Sequence, residues 1–142
     1  MNPEIWGPHA WLFLHSITLN YPEKPTKEEK EIYKNFFNNL GKVLPCYKCQ
    51  RNYEKHIEMI PITKKILSSK KRIIKWLIDI HNLVNKSNGK KEMKEKEMIK
   101  KYKKIYEEKK EKKNIKNIII LTIIIYAILL LIYILIIMIK KN

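Results

Sequence analysis

Cysteine is scarce in this sequence: Cys46 and Cys49 are the only two among 142 residues, and they stand three positions apart. A small secreted scaffold held by disulfides needs several pairs far apart in sequence, so that class of protein is excluded. Three interpretations of the pair stay open: a redox-active pair, half of a metal site, or two incidental thiols. Zinc normally takes about four ligands, and the four histidines of the chain follow no zinc-finger spacing. No metal ligand is therefore predicted.

Glycine and strand patterns are also scarce. Glycine occurs only at positions 7, 41 and 89, and no segment alternates apolar and polar residues over a useful length. This disfavours a thioredoxin-like fold, which needs a βαβ pattern. Helical signals are frequent, so the sequence predicts an all-α fold.

The predicted fold is a bundle of four or five helices followed by a C-terminal membrane-spanning helix. Thr26 with Glu29 three residues later forms a capping-box pattern, which predicts a helix ending near Gly41. Asn88-Gly89 predicts the end of another helix that begins near residue 70. Further helices are predicted over about 8–20, over about 46–57 and in the charged segment after Gly89.

Acidic residues are few relative to basic ones. There are 30 Lys and Arg against 14 Asp and Glu, a net charge of +16. Residues 89–116 carry much of the excess, with 13 lysines and 6 glutamates. Such a balance is compatible with nucleic acid, an anionic membrane surface or acidic partners, although a lysine-rich surface is more often a solvated face. We expect no nucleic-acid partner.

One long apolar run stands out. Ile118 to Ile139 reads "IIILTIIIYAILLLIYILIIMI", 22 residues without a charge. At roughly 1.5 Å per residue it spans the roughly 30 Å hydrocarbon core of a bilayer. Nine lysines within 100–116 precede it and two follow, which predicts a cytosolic lysine-rich side.

These features predict the domain organisation and the location. We expect a globular helical domain at 1–106, a lysine-rich stalk at 107–117, a transmembrane helix at 118–139 and a short tail at 140–142. The N-terminus lacks a basic leader and a cleavage site. The expected arrangement is a single-pass, tail-anchored protein whose N-terminal domain faces the cytosol.

The cysteine pair lies where a helix would begin. Cys46 follows Pro45, so its sulfur is expected near unpaired backbone N–H groups. Lys48 and Arg51 are close in sequence. Both features favour the thiolate, which is the reactive form in disulfide exchange.

Two further clusters combine aromatic, imidazole and amide side chains. In "WGPHAWLFLH", Trp11 and His15 share a helical face; in "HNLVNKSNGK", His81 and Asn85 share a face with Asn82 beside them. Such residues are more often part of a core. On facing helices, however, they suit a flat heteroaromatic ligand. A bare dithiol passes electrons to oxygen poorly, and flavin is the usual mediator.

The chain resembles the ERV/ALR family of FAD-linked sulfhydryl oxidases over about residues 5–106. Four elements occur in the family's order: "WGPHAWLFLH", Tyr21-Pro22, "LPCYKCQRNY" and "WLIDIHNLVNKSNGK". The small size and the lack of further cysteines resemble the minimal members encoded by large cytoplasmic DNA viruses.

The resemblance implies an enzyme, an FAD-dependent thiol oxidase that is usually a homodimer. It would make disulfides in a protein dithiol, such as a CxxC protein on the same membrane face, and pass the electrons to oxygen, giving hydrogen peroxide. Cys46 would be the sulfur that substrate attacks, and Cys49 the thiol next to the flavin. The positions that match cofactor contacts are Gly7, Trp11, His15, His81, Asn82, Asn85 and Lys90.

The sequence departs from the family in two respects. It has neither a second, shuttle pair of cysteines nor structural disulfides. No tryptophan follows Trp76, so Tyr102 or Tyr106 is expected in place of the family's late tryptophan at the flavin. The alternative function is a non-enzymatic, membrane-anchored basic adaptor whose CxxC is structural or binds zinc.

Overall fold

The computed structural model describes residues 1–141, together with the side chains of all of these except 108–110 and 141. Of the tail expected at 140–142, Asn142 thus lies outside the described residues. The described chain is helical and contains no strand, which confirms the predicted all-α class. Its elements are α1 (Pro3–Leu19), α2 (Lys27–Val43), α3 (Tyr47–Met59), a short 3₁₀ helix (Ile66–Ser68), α4 (Lys70–Ser87) and α5 (Glu95–Lys141).

The helix ends follow local capping chemistry. The Asn2 side chain accepts a hydrogen bond from the Glu4 N–H, so α1 begins at Pro3 and not at the predicted residue 8. The capping box at Thr26 is confirmed, with both reciprocal bonds present, at 2.7 and 3.1 Å. Gly89 has φ 65°, as the predicted end of α4 requires.

Residues Met1–Tyr102 form one compact unit. Its fully buried side chains come from all parts of the unit and include Tyr21, Phe37, Leu67, Ile73, Leu77, Ile80 and Met98. Within it, α1 packs against α4, while α3 packs against both α2 and α4. The core therefore holds α3, the helix that follows the cysteine pair, between two neighbours.

Three buried side chains connect these helices by hydrogen bonds to backbone carbonyls. The Tyr53 hydroxyl donates to the Phe37 carbonyl at 2.9 Å, which joins α3 to α2. Trp76 Nε1–H donates to the Ile60 carbonyl at 2.8 Å, which joins α4 to the end of α3. The Tyr21 hydroxyl donates to the carbonyl of Leu67 at 2.7 Å. Each bond satisfies a polar group inside an apolar core, where an unpaired group would be costly.

Residues Lys103–Asn142 form the second unit, in which α5 continues. The apolar side chains between Ile118 and Ile139 are exposed. By length and composition alone, α5 is the one helix within the described residues that could cross a membrane. The predicted boundaries at 106 and 117 stay predictions.

Candidate active site

Cys46 and Cys49 form a disulfide, with their Cα atoms 5.1 Å apart. This separation lies within the ordinary range for such a bond. Both residues are half-buried, so the pair is neither enclosed in the core nor fully exposed.

Cys46 is the N-cap of α3, so that helix begins at Tyr47, one residue after its predicted start. Its Sγ accepts a hydrogen bond from the Cys49 N–H at 3.2 Å. The N–H of Cys46 in turn donates to the Leu44 carbonyl at 2.8 Å, and the Gln50 side chain donates to the same carbonyl at 2.7 Å. The expected placement of the Cys46 sulfur near backbone N–H groups is confirmed. At this position a thiolate is stabilised by the helix end.

Three of the predicted site residues meet in one cluster of rings. The indole of Trp11 stacks on the imidazole of His81, with centroids 3.7 Å apart and planes inclined by 4°. His15 Nε2 lies 3.0 Å from His81 Nδ1, so one imidazole donates and the other accepts. Tyr102 stacks on His15 at 4.3 Å. We call Trp11, His15, His81 and Tyr102 the ring cluster.

Both imidazoles of the ring cluster are held in the neutral form. Burial, aided by the charges of His81 and Lys101, lowers the pKa of His15 to about 3. Burial, aided by Lys101 and Lys90, lowers the pKa of His81 to about 4. At neutral pH the cluster is thus an uncharged group of stacked and tilted aromatic rings with one shared N–H.

The two asparagines hold the loop between α4 and α5. The Asn82 side chain donates to the Met93 carbonyl at 3.0 Å and accepts from the Met93 N–H at 3.1 Å. The Asn85 carbonyl accepts from the Lys90 N–H at 2.8 Å. Lys90 itself is exposed. These contacts give Asn82 a structural role in addition to the cofactor contact that the sequence predicts.

Gly7 lies one helical turn before Trp11 on α1, and a Cβ added to it would meet nothing within 4 Å. Its neighbour Trp6 has a buried Nε1–H that lacks a hydrogen-bond partner among the described residues. A buried donor that lacks a partner among the described residues suits a bound group with an acceptor atom, and the neutral rings suit a heteroaromatic one.

The predicted site residues thus fall into two groups on different helices. The ring cluster joins α1, α4 and the start of α5, and the charge of Lys90 acts on His81. The cysteine pair lies at the start of α3. Among the described residues, no hydrogen bond links either cysteine to the ring cluster.

His56 is a buried histidine to which the sequence analysis assigned no role. Its Nε2 lies 3.3 Å from the Ser87 hydroxyl, and its Nδ1 has no partner within the part of the chain that the structure describes. Burial lowers its pKa. The only sequence signal was its position seven residues after Cys49, which places both on one face of α3.

The comparisons with known proteins agree with this geometry. A family model described as "Erv1 / Alr family" matches residues 8–119. A probable FAD-linked sulfhydryl oxidase of Acanthamoeba polyphaga mimivirus is 48% identical over 99 residues, which cover 70% of this chain and 69% of that protein. The mitochondrial FAD-linked sulfhydryl oxidase ERV1 of Saccharomyces cerevisiae is 34% identical over 84 residues, 58% of this chain and 42% of that protein.

Solved structures agree as well. The FAD-binding domain of Erv1 from Saccharomyces cerevisiae matches with a TM-score of 0.67 and 30% identity, over 73% of this chain and 96% of that one. The yeast Erv1 core matches with a TM-score of 0.66 and 29% identity, over 72% and 85%. The chain spans less than half the length of the cellular ERV1 relatives from yeast and Arabidopsis thaliana, and about two thirds of the mimivirus protein. Since the family model covers most of the sequence, this chain belongs to the Erv1 / Alr family.

Proposed function

We propose that this chain is an FAD-dependent thiol oxidase that makes disulfides in protein dithiols and passes the electrons to oxygen, giving hydrogen peroxide. Family membership and the names of its relatives support both the enzyme class and FAD as cofactor. The observation that carries the proposal is the Cys46–Cys49 disulfide at the start of α3, half-buried and reachable. The rival function, a non-enzymatic adaptor, is not favoured by relatives named as oxidases.

The chemistry begins with attack of a substrate thiolate on Cys46 Sγ. A substrate–Cys46 disulfide forms, the Cys46–Cys49 bond breaks, and Cys49 leaves as a thiolate with the electron pair of that bond. The second substrate thiolate then attacks the substrate sulfur bonded to Cys46. The substrate disulfide forms, Cys46 leaves as a thiolate, and the pair has gained two electrons.

The N-cap position of Cys46 assists the second of these steps. The thiolate that leaves Cys46 is stabilised by the Cys49 N–H and by the positive end of α3. A thiol with a lower pKa leaves faster in disulfide exchange. Cys46 is therefore suited to release the oxidised substrate.

FAD, when bound, supplies a two-electron acceptor that restores the Cys46–Cys49 disulfide and that oxygen reoxidises. The residues that would hold it are Gly7, Trp11, His15, His81, Asn82, Asn85 and Lys90. Trp11 and His81 offer flat faces, and the neutral imidazoles offer hydrogen bonds at a ring edge. Tyr102 would take the place expected for the family's late tryptophan, which its burial against His15 supports. Tyr106, the other residue predicted for this place, is half-exposed.

Oxygen consumption by the full chain in a neutral detergent tests the proposal. With a small dithiol as substrate, the wild type should consume oxygen and release hydrogen peroxide in equal amounts. Cys46→Ser and Cys49→Ser should each abolish this turnover while the protein keeps its flavin. A folded preparation that carries no flavin and takes none up would contradict the proposal.

Flavin spectra of the two cysteine variants test the assigned order of the sulfurs. Cys46→Ser leaves Cys49 as a free thiol beside the cofactor, so a long-wavelength charge-transfer band is expected. Cys49→Ser should give no such band. A band in Cys49→Ser alone would reverse the assignment of the two sulfurs, and identical spectra would remove it.

We also propose that the protein is a homodimer. Apolar side chains on the outer surface of the first unit support this: Ile5 and Phe13 of α1 are 72% and 60% exposed, and Ile32 of α2 is 57% exposed. Ile5 and Phe13 are eight residues apart, on one helical face. Replacing Phe13 by Glu should convert a dimer to a monomer in light scattering. A wild type that scatters as a monomer rejects this proposal.

The membrane location is a further part of the proposal. We place 118–139 across a bilayer as a single-pass anchor, with the oxidase domain and the lysine-rich segment on the cytosolic face, in a cellular or a virion membrane. The absence of charge in the span and the lysines before it support this orientation. Protease added to intact membranes should digest the N-terminal domain. Survival of that domain until detergent is added would overturn the orientation.

A further inference from the structure

The outward face of α3 carries a groove beside the cysteine pair. Its volume is ≈ 220 Å³, and its lining residues are Tyr47, Lys48, Arg51, Asn52 and Lys55. These positions follow the spacing i, i+1, i+4, i+5, i+8, which places them on one side of the helix. We call them the basic groove.

The basic groove has a single sign of charge. Three of its five lining residues are cationic and none is acidic. None of the three cations belongs to an ion pair found among the described residues. Glu54 of the same helix is seven residues after Tyr47 but is not part of the groove lining, and its side chain lies near Gly41 of α2. An anionic partner would therefore meet three cations without competition from a carboxylate in the groove lining.

Aromatic and guanidinium groups meet at the end of the basic groove nearest the cysteines. Tyr47 is 73% exposed, and the Arg51 guanidinium lies 5.9 Å from the centre of its ring. Exposed tyrosine and arginine are the residue types most enriched at protein interfaces. Arginine also binds carboxylates with two parallel hydrogen bonds.

The basic groove begins at the residues next to Cys46 in sequence. Tyr47 and Lys48 stand between Cys46 and Cys49, and Lys55 lies nine residues after Cys46. At roughly 1.5 Å per residue the groove extends about 13 Å from Cys46. An extended peptide covers that length in about four residues. A segment that binds the groove would thus be only a few residues away from a thiol that attacks Cys46.

We infer that the basic groove docks an acidic segment of the substrate protein, located within about four residues of its reactive cysteine. The inference rests on the proposed function and narrows its substrate class to dithiol proteins with acidic residues beside the cysteines. The groove would raise the encounter rate and orient the substrate thiol, as complementary charge does at other interfaces. It adds no chemical step to the exchange described above.

The test compares two synthetic peptides with the same CxxC core, one flanked by three acidic residues and the other by three lysines. The full chain in neutral detergent oxidises each, and the readout is the ratio of their kcat/KM values. The flanking charges alter the thiol pKa of each peptide equally for every enzyme variant, and effects on the enzyme's cysteine pair act on both peptides, so both cancel when the ratio is compared between variants. In the wild type we expect a preference for the acidic peptide of roughly tenfold at low salt, decreasing as salt is added.

Charge-reversal variants assign the preference to the basic groove. Arg51→Glu/Lys55→Glu should lower the ratio about fivefold or more, and the neutral pair Arg51→Gln/Lys55→Gln should give an intermediate value. The matched control, Lys24→Glu/Lys71→Glu, makes the same change in net charge at exposed positions outside the groove and should change the ratio less than about twofold.

The outcomes separate this inference from the proposed function. If the wild type oxidises neither peptide nor a small dithiol, the proposed function fails. If it oxidises both peptides with equal kcat/KM, the oxidase stands and the docking surface is refuted. If the groove variants and the control variant lose the preference equally, the preference comes from overall charge. That result would also refute the docking surface.

Discussion

Replacing Gly41 by alanine should destabilise the contact that positions the start of α3. A Cβ at residue 41 would lie 2.9 Å from Tyr53 Cδ1, well inside normal contact. The Tyr53 ring has little freedom to move away, because it is 5% exposed and its hydroxyl is bonded to the Phe37 carbonyl one turn before Gly41. Tyr53 is itself one turn after Cys49. The helices must therefore separate at the level of the cysteine pair.

The expected change in unfolding free energy follows from two opposing effects. Overpacking a buried site costs about 1–3 kcal/mol, whereas alanine in place of a helical glycine contributes up to about 1 kcal/mol. Gly7→Ala is the matched control, because Gly7 is also helical and its added Cβ would meet nothing within 4 Å. Helix propensity is similar in the two variants. Their difference in unfolding free energy should then be about 1–3 kcal/mol, the overpacking cost alone.

Thermal unfolding of the full chain in neutral detergent, stripped of flavin so that the cofactor contact proposed for Gly7 does not contribute, measures this difference by tryptophan fluorescence. In a unit of this size each kcal/mol corresponds to a shift of roughly 4–8 °C in Tm. Gly7→Ala should melt above the wild type, and Gly41→Ala clearly below Gly7→Ala. If both substitutions raise Tm equally, the close approach of α2 and α3 at Tyr53 is wrong.

Three further predictions concern the core and the ring cluster. Because the folded pKa values of His15 and His81 are depressed, the unfolded chain binds more protons below its own pKa near 6.5, so stability should fall as pH drops toward 4. At about pH 5 the loss of unfolding free energy is roughly 2 kcal/mol per imidazole. A denaturation midpoint that does not change with pH in this window would contradict the prediction. Trp76→Phe leaves the Ile60 carbonyl without its donor and should cost about 1–3 kcal/mol in chemical denaturation; an unchanged midpoint counts against that bond. Asn82→Ala removes the two hydrogen bonds to Met93 and should speed amide hydrogen exchange in the loop after α4. If the variant loses flavin without faster exchange, Asn82 acts only as a cofactor contact.

The helices were predictable because local chemistry encodes them. The capping box at Thr26 and the glycine at position 89 marked helix ends that the structure confirms. The sequence places the start of α1 five residues too late, at Pro8, because a single residue, Asn2, caps the true start at Pro3. Proline near a helix start is tolerated, so Pro8 alone did not identify the first residue.

The candidate site was predictable in its members but not in their contacts. Spacing along one helix showed that Trp11 and His15 share a face, whereas the stacking of Trp11 on His81 depends on how α1 packs against α4. The bonds from Asn82 to Met93 and the burial of His56 are likewise tertiary, and no short-range pattern encodes them. The burial of Tyr102 against His15 is tertiary too, since the sequence predicts Tyr102 and Tyr106 alike.

The most direct test of the central claim is anaerobic mixing of a dithiol with the flavin-loaded full chain. The oxidised-flavin absorbance of the wild type should bleach, and oxygen admitted afterwards should restore it. The double variant Cys46→Ser/Cys49→Ser, carrying the same flavin, should keep its absorbance in the presence of the dithiol. Flavin that stays oxidised in the wild type, or that bleaches equally fast in the double variant, would contradict electron transfer through the Cys46–Cys49 pair.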